Sequence, residues 1–205
     1  DEVFEVTKIY SIAGMLPPTG EPYLSRRPFR NPHHTSSHIA LVGGGATPRP
    51  GEATLAHRGV LFLDEFPEFD RRVIESLRQP LESRSITVAR AAGSMTFPAH
   101  FMLVASQNPC PCGNFGNAMR DCVCSPGAVA KYKKKISGPI MDRIDLYAET
   151  PAVAYEKLEG AEEEASADVR VRVAAARDIQ RKRFAGATII TNAEMGLREI
   201  KSHIR

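Results

Sequence analysis

Residues 60–66 read Val-Leu-Phe-Leu-Asp-Glu-Phe, a run of apolar β-formers that ends in two adjacent carboxylates. A strand this apolar is expected to be buried on both faces, as in a parallel sheet covered by helices. Two ionisable groups at the end of such a strand are costly unless something there uses them. In nucleotide hydrolases a pair in this place does two jobs: the aspartate holds Mg²⁺ through its water shell, and the glutamate orients the attacking water. An apolar strand that simply runs into an acidic loop is the ordinary alternative. A second apolar strand, Phe101-Met102-Leu103-Val104-Ala105, runs into Ser106-Gln107-Asn108. The interval between the two leaves room for one helix, one hairpin and the next strand of a sheet. A third stretch, Ser137 to Leu146, sets Arg143 before another short apolar run.

Acidic pair, amide and arginine, in that order on successive elements, resemble the Walker B, sensor 1 and arginine-finger parts of an AAA+ ATPase. Arg49-Pro50-Gly51-Glu52, the run Leu55 to Glu65, Asn108-Pro109-Cys110-Pro111-Cys112-Gly113 and the Ser137–Leu146 stretch are similar to the magnesium chelatase branch of those proteins. Within it, Arg27-Pro28-Phe29-Arg30-Asn31-Pro32-His33-His34-Thr35 and the four cysteines resemble the bacterial ComM group, also called YifB. The resemblance covers nearly the whole chain.

It implies an α/β fold: a P-loop-type parallel sheet flanked by helices, with a β-hairpin before sensor 1 and part of a helical lid. It also implies ATP and Mg²⁺ as cofactors, with Asp64 on the metal, Glu65 activating water, Asn108 sensing the γ-phosphate and Arg143 reaching a neighbouring subunit's nucleotide. The whole protein would be a hexameric ring acting on DNA, with branch migration as its activity. The rivals are a chelatase subunit driving metal insertion into a porphyrin and a non-catalytic assembly module. No Gly-x-x-x-x-Gly-Lys-Ser/Thr run occurs, and Gly43-Gly44-Gly45-Ala46 has neither the lysine nor the hydroxyl. In the family that loop and its strand lie just upstream of the region where this chain begins, so the first strand and phosphate loop are expected to be absent from this fragment. Strands at 101–105 and 144–148 would then face an empty slot. Three outcomes are open: they pair directly, another segment or a second chain fills the gap, or the 144–148 strand is displaced.

Composition agrees with a cytoplasmic enzyme piece. The 205 residues suffice for one core plus a small lobe. A net charge of +3 does not by itself argue for nucleic acid. No apolar run approaches the roughly 20 residues that span a bilayer, so no membrane is expected, and no signal-peptide pattern occurs. Two parts are expected, a core over 1–150 and, over 151–205, an acidic connector with the start of a lid.

Local signals place the motifs. Residues 1–14 suggest a helix ending near Gly14, 26–31 a short strand, 35–42 a helix, and 43–52 a Gly/Pro-rich loop. Asp70 can cap a helix from 71 to about 79. Residues 84–98 read as a hairpin, and a helix runs from Asp168 to about Phe184. Arg84 and Arg90 on the hairpin are the candidate DNA contacts, while the basic helix around Arg170–Arg183 reads as a solvated face. His33 and His34 read as a loop or cap feature, adjacent side chains that would point apart on a helix or strand.

Cys110-Pro-Cys112 and Cys122-Val-Cys124 form a CxC…CxC set with nine residues between the pairs. Four thiols this close, in a reducing compartment, suggest a tetrahedral zinc site. Four free cysteines, or a disulfide formed in handling, are the alternative.

Overall fold

The computed structural model describes residues 2–16, 22–45, 48–90, 93–150 and 164–203. The chain forms two compact units, Asp1–Leu146 and Tyr147–Arg205. The expected acidic connector lies largely outside the described residues, as does the tip of the hairpin at 91–92.

The first unit is α/β. Helix α1 (Glu2–Ala13) buries Val6 and Ile9, one turn apart on one face, and stops at Gly14, whose φ of 70° suits the left-handed position after a helix. Strand β1 (Phe29–Arg30) and helix α2 (His38–Val42) follow, the helix capped by the Ser37 hydroxyl accepting the Ala40 N–H at 3.2 Å. Helix α3 (Glu52–Leu55) leads into β2 (Val60–Leu63). Helices α4 (Arg71–Ser76) and α5 (Arg78–Ser83) come next, α4 capped by Asp70 through the Arg72 N–H at 2.8 Å. They form a longer helical stretch than the sequence suggests, with a break at Leu77 shortly before Pro80, which has no N–H for the ladder.

The antiparallel hairpin of β3 (Ser85–Arg90) and β4 (Gly93–Pro98) runs in register from Ser85↔Pro98 to Arg90↔Gly93. After it come β5 (Met102–Ala105) and helices α6 (Pro126–Lys133) and α7 (Gly138–Met141).

The parallel sheet has the order β1-β2-β5. Leu61 lies opposite Leu103 and Leu63 opposite Ala105. Leu61 and Leu63 are fully buried with Leu41, Ile74, Leu77 and Ile140, each such side chain contributing about 1.5–3 kcal/mol of hydrophobic free energy. Burial of β2 on both faces is only partly realised. Val60 and Phe62 are half-buried, and Phe62 stacks on Phe29 with ring centroids 6.1 Å apart.

On the far side of β5 direct pairing is not found, and the expected strand is not displaced but absent: no strand forms over 144–148. The Arg143 and Ile144 N–H groups are taken by the carbonyls of Ile140 and Met141, which continues the α7 turn instead of a ladder. Among the described residues β5 pairs only with β2.

Gly59 fixes how β1 approaches β2. A Cβ there would lie 1.9 Å from the Pro28 carbonyl oxygen, which accepts the Val60 N–H at 2.9 Å. Only glycine fits. Below it, the Glu5 carboxylate takes hydrogen bonds from Arg58 Nε at 2.7 Å and His57 Nε2 at 3.1 Å. His57 Nδ1 accepts the His100 N–H at 3.0 Å, so the neutral ring carries its proton on Nε2.

In the second unit, α8 (Ser166–Arg183) buries no residue, as a solvated helix does, and is followed by α9 (Leu197–His203). The Phe184 ring meets His203 edge-on at 5.8 Å. Among the described residues no helix is long and apolar enough to cross a membrane.

Candidate functional site

The alignment of Leu63 with Ala105 brings the exits of β2 and β5 side by side, and backbone bonds continue past both strands. Ser106 N–H donates to the Leu63 carbonyl at 3.1 Å, and Phe66 N–H to the Ser106 carbonyl at 2.9 Å. Between these rungs Asp64 and Glu65 are exposed. The Ser106 hydroxyl donates to Asp64 Oδ1, and the Glu65 N–H reaches both that oxygen, at 3.0 Å, and Ser106 Oγ, at 3.2 Å. One carboxylate oxygen is thereby anchored, and among the described residues no hydrogen bond reaches Oδ2.

Glu65 has φ 52° and ψ 45°, the left-handed region. For a side chain of this size that backbone is unfavourable, and such residues concentrate at functional sites. Its Oε2 lies 3.1 Å from His34 Nδ1. His34 is half-buried, edge-on to the buried Phe69 ring at 6.4 Å and 4.1 Å from the His33 ring. The two histidines lie in a loop, as the sequence suggests, and so are free of the divergence a helix or strand would impose. They occupy a turn, which carries both rings to one side. His33 Nδ1 meets the Thr35 hydroxyl at 2.9 Å.

Asn108 is exposed, two residues beyond Ser106. Burial pushes the pKa of the Tyr132 phenol on α6 up, and the nearby Asn108 backbone N–H opposes that rise. Asn108 therefore stands at the same strand exit as the acidic pair. Arg143 does not join this cluster. Its guanidinium pairs with Glu82 near the end of α5 and donates from Nη1 to the Pro139 carbonyl at 2.7 Å, while its Nε is buried with no hydrogen-bond partner among the described residues.

The cysteines converge. The Sγ atoms of Cys110, Cys112, Cys122 and Cys124 all lie within 4.8 Å of one another, and none is in a disulfide. The thiols titrate together: the backbone amides of Asn114 and Val123 lower Cys112 to about 6, whereas Cys122 beside it is pushed up to about 12.

Gly44 and Arg49 close a small antiparallel bridge, with N···O distances of 3.0 and 3.1 Å, so the described part of this glycine run serves a turn. Arg84 caps α5 in the left-handed region at the entry to the hairpin. Ser106 and His34 are the site residues that sequence reading did not assign. Aligning the ends of the two apolar strands points to Ser106 opposite Asp64; no comparable signal marks His34.

A family model described as magnesium chelatase, subunit ChlI, matches residues 1–158. The chain is 47% identical over 179 residues to the competence protein ComM of Haemophilus influenzae, covering 86% of this chain and 35% of ComM. It is 49% identical over 164 residues to YifB of Escherichia coli, covering 77% and 31%. The magnesium-chelatase subunit ChlI of Porphyra purpurea matches at 39% over 70 residues, covering 34% of this chain and 20% of the subunit. The chain thus spans about a third of the length of ComM and YifB. With an α/β core, a parallel sheet and this coverage, the chain belongs to the magnesium chelatase family and has ComM and YifB among its relatives.

Proposed function

We propose that this chain is part of the ATPase core of a ComM-like motor, in which hydrolysis drives the remodelling or branch migration of DNA. The observation that carries the reading is the cluster at the β2 and β5 exits: Asp64 anchored through one oxygen by Ser106, and Glu65 in left-handed backbone against His34.

Glu65 takes the proton of a water as its oxygen bonds the γ-phosphorus and ADP leaves. Asn108, presented just beyond the end of β5, donates its side-chain amide to the γ-phosphate. The open oxygen of Asp64 suits a hydrated hard cation, so Asp64 is the residue that would hold Mg²⁺. When bound, the ion neutralises charge on the phosphate oxygens. Arg143 stands apart from this cluster, as a residue that acts on a neighbouring subunit's nucleotide would; the proposed motor is a ring of six in the cytoplasm. A core over 1–150 and a lid beginning in 151–205 complete the arrangement. The Haemophilus relative is named a competence protein and matches far more of this chain than the chelatase subunit does. This favours DNA over a porphyrin enzyme as the object of the motor.

Glu65→Gln in the full-length protein tests the reading, since it keeps the shape and removes the base. ATP hydrolysis should fall by about 10²–10⁴ while nucleotide binding is retained. Near-wild-type turnover would reduce Glu65 to a structural residue.

A further inference from the structure

We propose that Cys110, Cys112, Cys122 and Cys124 bind one zinc ion, and that the resulting knuckle positions Asn108 at the strand exit. The first half stands on geometry alone; the second rests on the nucleotide reading above.

The sulfur separations decide between chemistries. Cys110–Cys112, Cys110–Cys122 and Cys112–Cys122 are 3.4, 3.7 and 3.6 Å apart. A disulfide needs about 2.05 Å. One tetrahedral ion with Zn–S bonds of about 2.3 Å sets its sulfurs about 3.8 Å apart. These three separations fit thiolates around a single centre, and Cys124 Sγ, within 4.8 Å of the other three, is placed to be the fourth. An iron–sulfur cluster distributes its cysteines over several irons, spreading them more widely than one ion does. Soft thiolates also exclude Mg²⁺ or Ca²⁺ here.

The backbone is arranged for thiolates as well. Phe115 N–H donates to Cys110 Sγ at 3.3 Å, and Gly113 and Gly116, at φ 80° and 79°, turn the chain around the cluster. The segment between β5 and α6 contains no helix or strand, and Cys110 is its buried member. A stretch this long without regular structure calls for a fastening, and a metal held from both CxC pairs supplies one.

The fastening reaches the site. Cys110 follows Asn108 by two residues, and a Cβ on Gly113, between the pairs, would stand 3.9 Å from Asn108 Oδ1. The knuckle therefore lies against the Asn108 side chain itself. Asn108 would contact the nucleotide; the cysteines act through it as positioning residues.

Full-length protein purified under reducing conditions should carry about one zinc per chain by elemental analysis, and Cys112→Ser/Cys122→Ser should carry about none. Wild-type protein without zinc, or with two or more metals per chain, overturns the site. Should the variant fail to fold, Co²⁺ added to metal-stripped wild type gives the intense visible bands of tetrahedral cobalt thiolate if the site exists. Their absence overturns it. For the positioning role, a folded zinc-free variant should lose about tenfold in kcat for ATP with nucleotide affinity retained, matching Asn108→Ala. An unchanged kcat in that variant overturns the coupling. Zinc content does not depend on turnover, so failure of the metal site and failure of the ATPase reading are told apart.

Discussion

His34 Nδ1 and Glu65 Oε2 meet at 3.1 Å, although two helices and a strand separate them along the chain. The contact fixes the carboxylate of a residue whose own backbone is unfavourable. His34→Ala in the full-length protein should lower kcat for ATP about tenfold, the range for partners that orient a reacting group, and leave nucleotide affinity unchanged. His34→Gln, which retains a donor, should recover part of the loss. Steady-state kinetics beside a binding titration check both, and wild-type kinetics in His34→Ala would remove the orienting role.

Arg143 and Glu82 separate a catalytic arginine from a structural one. If Arg143 serves only its ion pair, Arg143→Ala and Glu82→Ala should have similar effects, with small losses of stability. Acting across a subunit interface, Arg143→Ala should instead cost about 10³–10⁵ in turnover and Glu82→Ala far less. Rings mixed from Arg143→Ala and Glu65→Gln subunits should regain some activity, because one interface then holds both intact groups. No recovery at any mixing ratio would argue against action in trans.

Glu5 contributes to acid sensitivity. Hydrogen bonds from Arg58, outweighing burial, and from His57 hold its carboxyl at about 2, against an ordinary value of 4.5. A depressed carboxylate stabilises the fold above the unfolded value, and that contribution is lost as pH falls from about 4.5 towards 2. The group is partly solvated, so about 1 kcal/mol is the expected size after screening. His57 acts in the same direction: burial lowers its pKa, so acid costs stability from about pH 6.5 downward. Urea midpoints between pH 7 and 3 should fall less steeply for Glu5→Gln than for wild type. Parallel curves would show that the pair contributes nothing measurable.

Gly59→Ala should destabilise the core by about 2–3 kcal/mol or prevent folding, since the new methyl would sit 1.9 Å from the Pro28 oxygen. Gly116→Ala meets nothing within 4 Å, although its positive φ carries a cost of about 1 kcal/mol. Chemical denaturation of both should show the larger loss at Gly59. The reverse order would mean that β1 shifts to make room.

The parts of the fold legible in the sequence are local. The β2 run, the Asp70 cap, the hairpin around 84–98 and the helix after Asp168 are each announced by a few neighbouring residues. What escaped was decided between distant segments. Arg143 has two carboxylates beside it in sequence, Asp142 and Asp145, yet pairs with Glu82 because packing brings α5 to the α7 turn. His34 looks like any loop histidine until β1 is laid beside β2. The apolar run at 144–148 has the composition of a strand, but a strand also needs a ladder partner, and β5 bonds only to β2 among the described residues.

The hairpin has a consequence for the order in which the molecule assembles. Parallel pairing of β2 with β5 joins segments far apart in sequence, but β3 and β4 are near neighbours in sequence that zip together, and the Ala99 N–H then closes onto the Arg84 carbonyl at 2.7 Å. That closure takes the hairpin out of the loop β2 and β5 must span, and α4 and α5 shorten the remainder. Closing a loop becomes easier only logarithmically as it shrinks, by about 0.6 kcal/mol per halving, so the main gain is in rate. Substitutions along Ser85–Pro98 should therefore slow folding, whereas those at Asp64 and Ser106 should mainly speed unfolding. The acidic pair meets its serine late, after the scaffold that aims it has formed.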